Sequence, residues 1–209
     1  HEPFAIPESY KNSPLAKLSG IQKGIAYTDR ALQKFFQQVS HEPWFNNTLF
    51  VITADHNYLA FDDPQHYYNQ GMGLFSIPVL FYKPDDPALK NANPQLTQQI
   101  DLMPSVLDYL HFDQPFFSFG KSVFDTLTPG FCCTAIDEQY FFLQPPWLMT
   151  TRSSAVTGLY HFEEDSLLQQ NRITGNDSVL SATNDRFHAY LQLLHSCIIY
   201  NRQSVQTYR

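Results

Sequence analysis

One short hydrophobic run, Thr48–Thr53 (Thr-Leu-Phe-Val-Ile-Thr), most constrains how this chain can fold. Successive side chains of a strand point to opposite faces, and here both faces would be apolar, which is typical of a strand buried on both sides. An amphipathic helix is predicted just before it, over about 13–39, because apolar residues recur there at three- and four-residue steps. A helix followed by a buried strand is the unit of an α/β sheet, so we expect this strand to run parallel to its neighbours.

The α/β pattern continues to about residue 130. A second strand is predicted over Ile77–Tyr82, and a helix opens at Asp101 and runs through Leu110. Pro104 falls in the first turn of that helix, where its missing N–H costs little. We therefore expect 1–130 to form an α/β core.

The texture of the sequence changes after about residue 131. Short strands are predicted at 138–143, 147–151 and 156–162. A helix is predicted at the end of the chain, over about 179–205. We expect 131–209 to form a small antiparallel β subdomain with a C-terminal helix.

Composition excludes several classes of protein. Of the 209 residues 43% are apolar and 16% charged, which permits a sizeable core and excludes a disordered chain. The net charge is −7 and there is no basic run, so we expect no nucleic-acid partner. No run reaches the roughly 20 apolar residues of a membrane-spanning helix. Three cysteines are too few for a disulfide framework, although one bridge from Cys197 to Cys132 or Cys133 stays open.

The dipeptide Asp55-His56 is the strongest candidate for a functional site. It follows the predicted buried strand directly, and ligands of open α/β sheets collect at the carboxyl ends of the strands. A carboxylate and an imidazole together suit Zn²⁺ or Mn²⁺. The alternative is an ordinary strand end, with an Asp that caps a loop and a His without a functional role.

Other histidines are weaker candidates. His1 stands at the start of the chain, and His66 lies in the same loop as Asp55 and could face the same crevice. Five more have no matching partners and are interpreted as structural: His41, His111, His161, His188 and His195. No Gly-rich phosphate loop, Gly-x-Ser-x-Gly elbow, His-Glu-x-x-His or Cys-x-x-Cys motif occurs.

Six sequence blocks in order resemble the bacterial lipoteichoic acid synthase-like sulfatase family. They lie at 1–7 (His-Glu-Pro-Phe-Ala-Ile-Pro), 25–29 (Ile-Ala-Tyr-Thr-Asp), 47–56 (Asn-Thr-Leu-Phe-Val-Ile-Thr-Ala-Asp-His), 77–84 (Ile-Pro-Val-Leu-Phe-Tyr-Lys-Pro), 99–104 (Gln-Ile-Asp-Leu-Met-Pro) and 119–122 (Phe-Gly-Lys-Ser). The match covers residues 1–125 well and is loose beyond them. Residue 57 is Asn where sulfatases usually have Gly.

This resemblance implies a fold and a metal site. The fold would be part of an alkaline-phosphatase-like α/β/α sandwich with a small antiparallel β subdomain. Asp55 and His56 would be two ligands of a divalent ion, Mn²⁺ or Zn²⁺ first and Mg²⁺ or Ca²⁺ as alternatives. His1 would occupy the catalytic, substrate-side histidine position, whereas His66 has no matched counterpart in the family.

The resemblance also implies a larger parent enzyme. The family's nucleophile and its remaining acidic ligand lie upstream of the position matched by His1, so we expect the N-terminal half of the domain to be missing and this chain alone to be inactive. The parent would be a phosphoglycerol transferase or a phosphodiester or sulfate ester hydrolase of the bacterial cell envelope, anchored by membrane helices and acting outside the cytoplasmic membrane on a phospholipid-derived, phosphate or sulfate ester. The chain itself would be soluble and prone to self-association.

An interpretation from another class is a non-catalytic module that binds envelope glycans or proteins. It would use aromatic residues of the C-terminal part, namely Tyr140, Phe141, Phe142, Trp147 and Tyr160. The competing interpretation is that these aromatics form the core, since they are spaced as strand residues are.

Overall fold

A two-stranded antiparallel sheet organises the first part of the chain, whose computed structural model describes residues 4–58 and 66–205. Strand β1 (Phe50–Thr53) pairs with β2 (Val79–Tyr82), so that Phe50 lies opposite Tyr82 and Ile52 opposite Leu80. The described residues up to 53, together with 78–91, form one compact unit, and those of 54–77, together with those from 92 onward, form another.

The prediction of a buried, parallel strand after residue 48 is wrong in both respects. The strand exists, but its partner runs antiparallel and its residues are half-buried or exposed. Parallel neighbours need a crossover connection, usually an α-helix. In the described part of the connection between β1 and β2 the only helical element is one 3₁₀ turn, Gly71–Phe75.

Helix α1 (Gly20–Val39) begins later than its periodicity predicts. Residues Pro14–Lys17 form a separate 3₁₀ turn, and Leu18 is extended (φ −81°, ψ 154°). The backbone at Gly20 has φ +51°, a conformation that glycine adopts at no steric cost and that separates the two helical segments. The segment before the helix packs against it: the rings of Tyr10 and Tyr27 meet edge to face, with their centroids 5.3 Å apart.

Aromatic rings hold the first unit together. The Phe36 ring of α1 lies 5.2 Å from Phe50 of β1 and 5.8 Å from Tyr82 of β2, between ring centroids. Even so, no residue of α1 is fully buried, and every buried apolar residue of the described chain lies in the second unit. The first unit therefore leaves much of its apolar surface uncovered.

The second unit has a well-packed core between a sheet and a helix. Helix α2 (Leu102–Tyr109) precedes a four-stranded antiparallel meander of β3 (Cys132–Ile136), β4 (Gln139–Gln144), β5 (Trp147–Arg152) and β6 (Ala155–His161), and helix α3 (Asp177–Ile199) follows it. Phe142, Met149 and Leu159 of the sheet pack against Phe187 of α3. The three predicted strands and the terminal helix are present, although the helix ends at Ile199 and not near 205, and β3 is an additional strand.

A buried carboxylate joins the segments around α2. Asp101, only 3% exposed, accepts hydrogen bonds from the backbone N–H groups of Gln98 and Lys121, both at 2.9 Å. Burial raises the pKa of this carboxyl, and the two amide donors and the Lys121 charge offset only part of the rise. A Cβ at Gly120 would lie 2.3 Å from the Ile100 carbonyl oxygen, so glycine is required for this close approach.

The three cysteines are free thiols, which settles the question of a bridge from Cys197. Burial raises the pKa of Cys132 to about 11 and that of Cys133 to about 12. Because the thiolate is the reactive form, these thiols are poor nucleophiles at neutral pH.

Replacing Asp101 should destabilise the chain far more than replacing an exposed carboxylate nearby. Asp101→Ala leaves two amide N–H groups without their acceptor, for an expected loss of about 2 to 4 kcal/mol in the free energy of unfolding, measured by urea denaturation. The pKa of Asp101 is higher in the folded chain than its ordinary value of 3.8, so the folded chain holds this proton more tightly than the unfolded chain. The difference in the free energy of unfolding between wild type and variant should therefore increase as the pH falls through the folded pKa towards 3.8.

Asp108→Ala, on the helix that follows Asp101, is the matched control. Asp108 is exposed and accepts a hydrogen bond from Ser122. Its replacement should cost less than about 1 kcal/mol. Equal losses in the two variants would contradict a special role for Asp101.

Candidate metal site after the first strand

The Asp55–His56 turn comes directly after β1 in the chain and brings two ligand-type atoms together. The Oδ1 atom of Asp55 accepts a hydrogen bond from the backbone N–H of His56 at 3.0 Å. The other carboxylate oxygen, Oδ2, lies 3.6 Å from His56 Nε2. The side chains of Asp55 and His56 are 82% and 70% exposed. The two side chains therefore face each other and are open to solvent.

The His56 ring is oriented by a backbone carbonyl. Its Nδ1 lies 2.7 Å from the oxygen of Asn57. A carbonyl oxygen only accepts hydrogen bonds, so Nδ1 carries the proton and the neutral ring keeps its lone pair on Nε2. Metal-binding histidines are commonly oriented in this way, with the second ring nitrogen donating to a carbonyl or carboxylate.

The geometry of the pair fits a divalent cation. Two ligand atoms bound tetrahedrally at about 2.1 Å would lie roughly 3.4 Å apart, close to the observed separation. A carboxylate oxygen and an imidazole nitrogen suit Zn²⁺ and Mn²⁺. Within residues 4–58 and 66–205, no third His, Cys, Asp or Glu joins them in a group that could hold an ion. Because zinc sites use three or four protein ligands, these two side chains alone would not complete a zinc site.

Two amide side chains hold the backbone of this turn. Gln99 Nε2 donates to the carbonyl oxygens of Ala54 at 2.9 Å and Asp55 at 3.0 Å. Asn57 Nδ2 donates to the carbonyl oxygens of Gly73 at 2.8 Å and Tyr68 at 3.2 Å. The side chain at position 57, where the resembled family usually has glycine, thus connects the turn to the segment after it.

Sequence reasoning does not identify these two holding residues. Gln99 is only the first residue of a resemblance block, and Asn57 only a departure from the pattern. The available signal is weak: both are uncharged amides near strand or helix ends, where such residues often bond to the backbone.

Of the other two candidate histidines, the structure describes only His66, and it does not place His66 in a metal-type group with the pair. His66 is exposed, has a left-handed backbone (φ +56°), and its carbonyl accepts from the Gln70 N–H at 3.2 Å. No metal-type group of three in the described chain includes it, and a substrate-side role for it stays a prediction. His1 lies outside the described residues, so its catalytic role also stays a prediction.

The aromatic residues of the C-terminal part contribute to packing. Phe142 is 4% exposed, and the Tyr140 ring lies 5.4 Å from Phe187 of α3. Trp147 packs against the same core and meets the His161 ring edge to face at 5.0 Å. These contacts favour the interpretation of the aromatics as core residues over that of an exposed binding surface.

Solved structures share this architecture. A protein in the alkaline phosphatase superfamily from Vibrio parahaemolyticus superposes with a TM-score of 0.77 at 18% sequence identity, over 99% of this chain and 48% of its own. Ps i-CgsB, solved in complex with k-i-k-neocarrahexaose, superposes with a TM-score of 0.64 at 15% identity, over 91% of this chain and 47% of its own. The fold is therefore a portion of the alkaline phosphatase superfamily fold.

Sequence comparison defines the family more closely. The model of the sulfatase family matches residues 1–112, more than half of the chain, and the chain belongs to that family. A search of the curated proteins found no significant relative. The chain spans about half the length of the solved structures that it matches. In the part of the chain that the structure describes, no helix is long and apolar enough to cross a membrane.

The tautomer of His56 is directly measurable. We expect long-range ¹H–¹⁵N correlation spectra, recorded where the ring is neutral, to show the proton on Nδ1, because Asn57 offers an acceptor there. His66, whose side chain is in an exposed loop, provides a comparison within the same spectrum. A proton on His56 Nε2 would mean that the metal-facing nitrogen is not free, and the site as described would be wrong.

Proposed function

We propose that this chain carries part of the active site of a metal-dependent, sulfatase-like enzyme that cleaves or transfers sulfate or phosphate esters. One observation carries the proposal: Asp55 Oδ2 and His56 Nε2 face each other at 3.6 Å on an exposed turn. Membership of the sulfatase family supports it, because members of this family and of the alkaline phosphatase superfamily generally use divalent metal ions.

The two side chains would serve different purposes at the ion. Asp55 would contribute a negative charge that offsets the charge of the cation, and its Oδ1 is held by the His56 amide. His56 would contribute a neutral nitrogen whose direction is set by Asn57. A bound divalent ion stabilises the negative charge that develops on a transferred phosphoryl or sulfuryl group and lowers the pKa of a hydroxyl nucleophile. Mn²⁺ and Zn²⁺ suit this donor pair best, with Mg²⁺ and Ca²⁺ as the alternatives.

We further propose that residues outside this sequence complete the site. They would supply the nucleophile, for which the resembled family uses Thr or formylglycine, and at least one more acidic ligand. Two observations support this proposal: the chain spans about half of its structural neighbours, and the described residues offer two ligands where three or four are needed. His1 would then contact the transferred group or its leaving oxygen.

The reaction class depends on the acceptor. Water would make the parent a phosphodiesterase or sulfatase, and an alcohol would make it a transferase. The lipoteichoic acid synthase-like resemblance favours a phosphoglycerol transferase of the cell envelope, anchored in the membrane and acting outside it on a phospholipid-derived substrate.

Hydrolysis of a chromogenic phosphate diester and a chromogenic sulfate ester tests this function. We expect the product of the full coding sequence to be active with Mn²⁺ or Zn²⁺, and Asp55→Asn or His56→Gln to lower its kcat at least about 100-fold, since each removes a metal ligand. The 209-residue chain alone should show no turnover. His111→Gln is the control and should keep full activity, because His111 is exposed and is not part of the Asp55–His56 turn.

Two results would contradict the proposal. Metal-dependent turnover by the 209-residue chain alone would show that nothing outside it is needed. Full activity of Asp55→Asn in the complete protein would exclude Asp55 as a ligand.

The uncovered face of the first unit leads us to a second proposal, that a part of the protein outside this sequence covers it and that the 209-residue chain alone self-associates. Ile25 is 61% exposed, Phe35 44% and Leu80 51%. Leu80 also lines an open groove of about 600 Å³, together with Phe36, Phe45, Ile52 and Tyr82 among others. Apolar patches of this kind are typical of protein interfaces.

Sedimentation velocity tests self-association. We expect the average sedimentation coefficient of the 209-residue chain to rise with concentration, and Leu80→Asn to reduce that rise, because it places a polar group in the groove. Leu127→Asn is the matched control: Leu127 is 92% exposed in the second unit and should have no effect. A single monomeric species at all concentrations would contradict the proposal.

A further inference from the structure

We propose that Gln99 is a positioning residue for the metal-binding turn: its side-chain amide fixes the backbone on both sides of Asp55 and thereby sets where the Asp55 carboxylate points. This inference rests on the proposed function, because it assigns Gln99 a role toward the ion that Asp55 and His56 would bind. Gln99 does not itself face the ion and is not a catalytic residue.

The contact is specific in its geometry. A side-chain NH₂ group has two hydrogens to donate. The Nε2 atom of Gln99 donates to two consecutive carbonyl oxygens, that of Ala54 at 2.9 Å and that of Asp55 at 3.0 Å. These two carbonyls belong to the peptide groups on either side of the Asp55 Cα atom. Holding both restricts rotation of the Asp55 backbone, and so restricts the direction of its Cα–Cβ bond.

Gln99 is itself on a rigid base. It lies in the turn Gln99–Asp101, directly before α2, where the buried Asp101 carboxylate accepts from the Gln98 and Lys121 amides. The neighbouring Gln98 points elsewhere, since its Nε2 donates to the Phe131 carbonyl at 2.9 Å. Two adjacent glutamines therefore connect the same turn to different segments, the predicted metal site and the start of the β-meander.

The turn needs such a support because the described residues hardly pack against it. Asp55 and His56 are mostly exposed, so packing within the described chain does little to fix their positions. Groups that orient metal ligands commonly change metal affinity by about 10- to 100-fold when removed. Gln99 acts on the backbone and is exposed, so we expect a smaller effect of about three- to tenfold.

The test is titration of the 209-residue chain with Mn²⁺, followed by paramagnetic broadening of the His56 ring signals. Gln99→Met keeps the length of the side chain and removes both donors, and should raise the apparent Kd about three- to tenfold with little change in Tm. Gln98→Met is the matched control and should lower Tm while leaving the Kd unchanged, because its bond goes to Phe131. Backbone ¹⁵N relaxation gives a second readout: order parameters at Asp55 and His56 should fall in Gln99→Met only.

The outcomes separate this inference from the proposed function. Selective broadening of His56 in wild type, weakened in Gln99→Met but not in Gln98→Met, supports both. Equal Kd values in wild type and Gln99→Met overturn the positioning role and leave the metal site intact. Two ligands alone should bind Mn²⁺ weakly, so absence of broadening at His56 in wild type even at millimolar Mn²⁺ overturns the metal site and the positioning role together.

Discussion

The buried carboxylate of Asp101 is the constraint on which the arrangement around the candidate site depends. An ionised group removed from water must be compensated by hydrogen bonds, and here the backbone amides of Gln98 and Lys121, from two separate segments of the chain, supply them. The backbone carbonyl of Asp101 also accepts from Ser105, whose hydroxyl in turn accepts from the Val123 amide. The start of α2 and the chain around residue 120 are thereby fixed together.

The side-chain amide of Gln99 connects the segment around Asp101 to the candidate metal site. Gln99 is two residues from Asp101 and bonds the backbone on which Asp55 is carried. The blocks 47–56, 99–104 and 119–122, which carry the family resemblance along the sequence, thus meet in space through Asp101 and Gln99. Their spacing in the sequence is long, but they act as one local structure.

Part of this arrangement could be predicted from the sequence. The short strand-like segments predicted at 138–143, 147–151 and 156–162 and the helical spacing of Leu180, Phe187 and Leu191 predict β4–β6 and α3, and residues of these elements pack together in one core. Asp55-His56 is identifiable because it directly follows a hydrophobic strand. Both cases depend on local patterns that the fold preserves.

The rest depends on information that local patterns do not contain. The direction of β1 is set by its pairing with β2, and an apolar run alone does not distinguish a parallel from an antiparallel partner. The late start of α1 follows from the backbone at Leu18 and Gly20, where apolar periodicity continues although the helix does not. The bond from Gln99 to Asp55 joins residues 44 positions apart and has no periodic signature.

The exposed apolar surface of the first unit and the exposed ligand pair are consistent with one physical picture. In both places groups that normally have partners, apolar side chains and metal-ligand atoms, are open to solvent. Under the proposed function, one additional part of the protein would cover the apolar surface of the first unit and would also supply the ligands that complete the Asp55–His56 site.

The most direct test of this account is anomalous diffraction from crystals of the chain soaked with Mn²⁺ or Zn²⁺. The account predicts an anomalous peak within about 2.0–2.2 Å of both Asp55 Oδ2 and His56 Nε2. A peak bound elsewhere, with these two side chains turned away from each other, would contradict it.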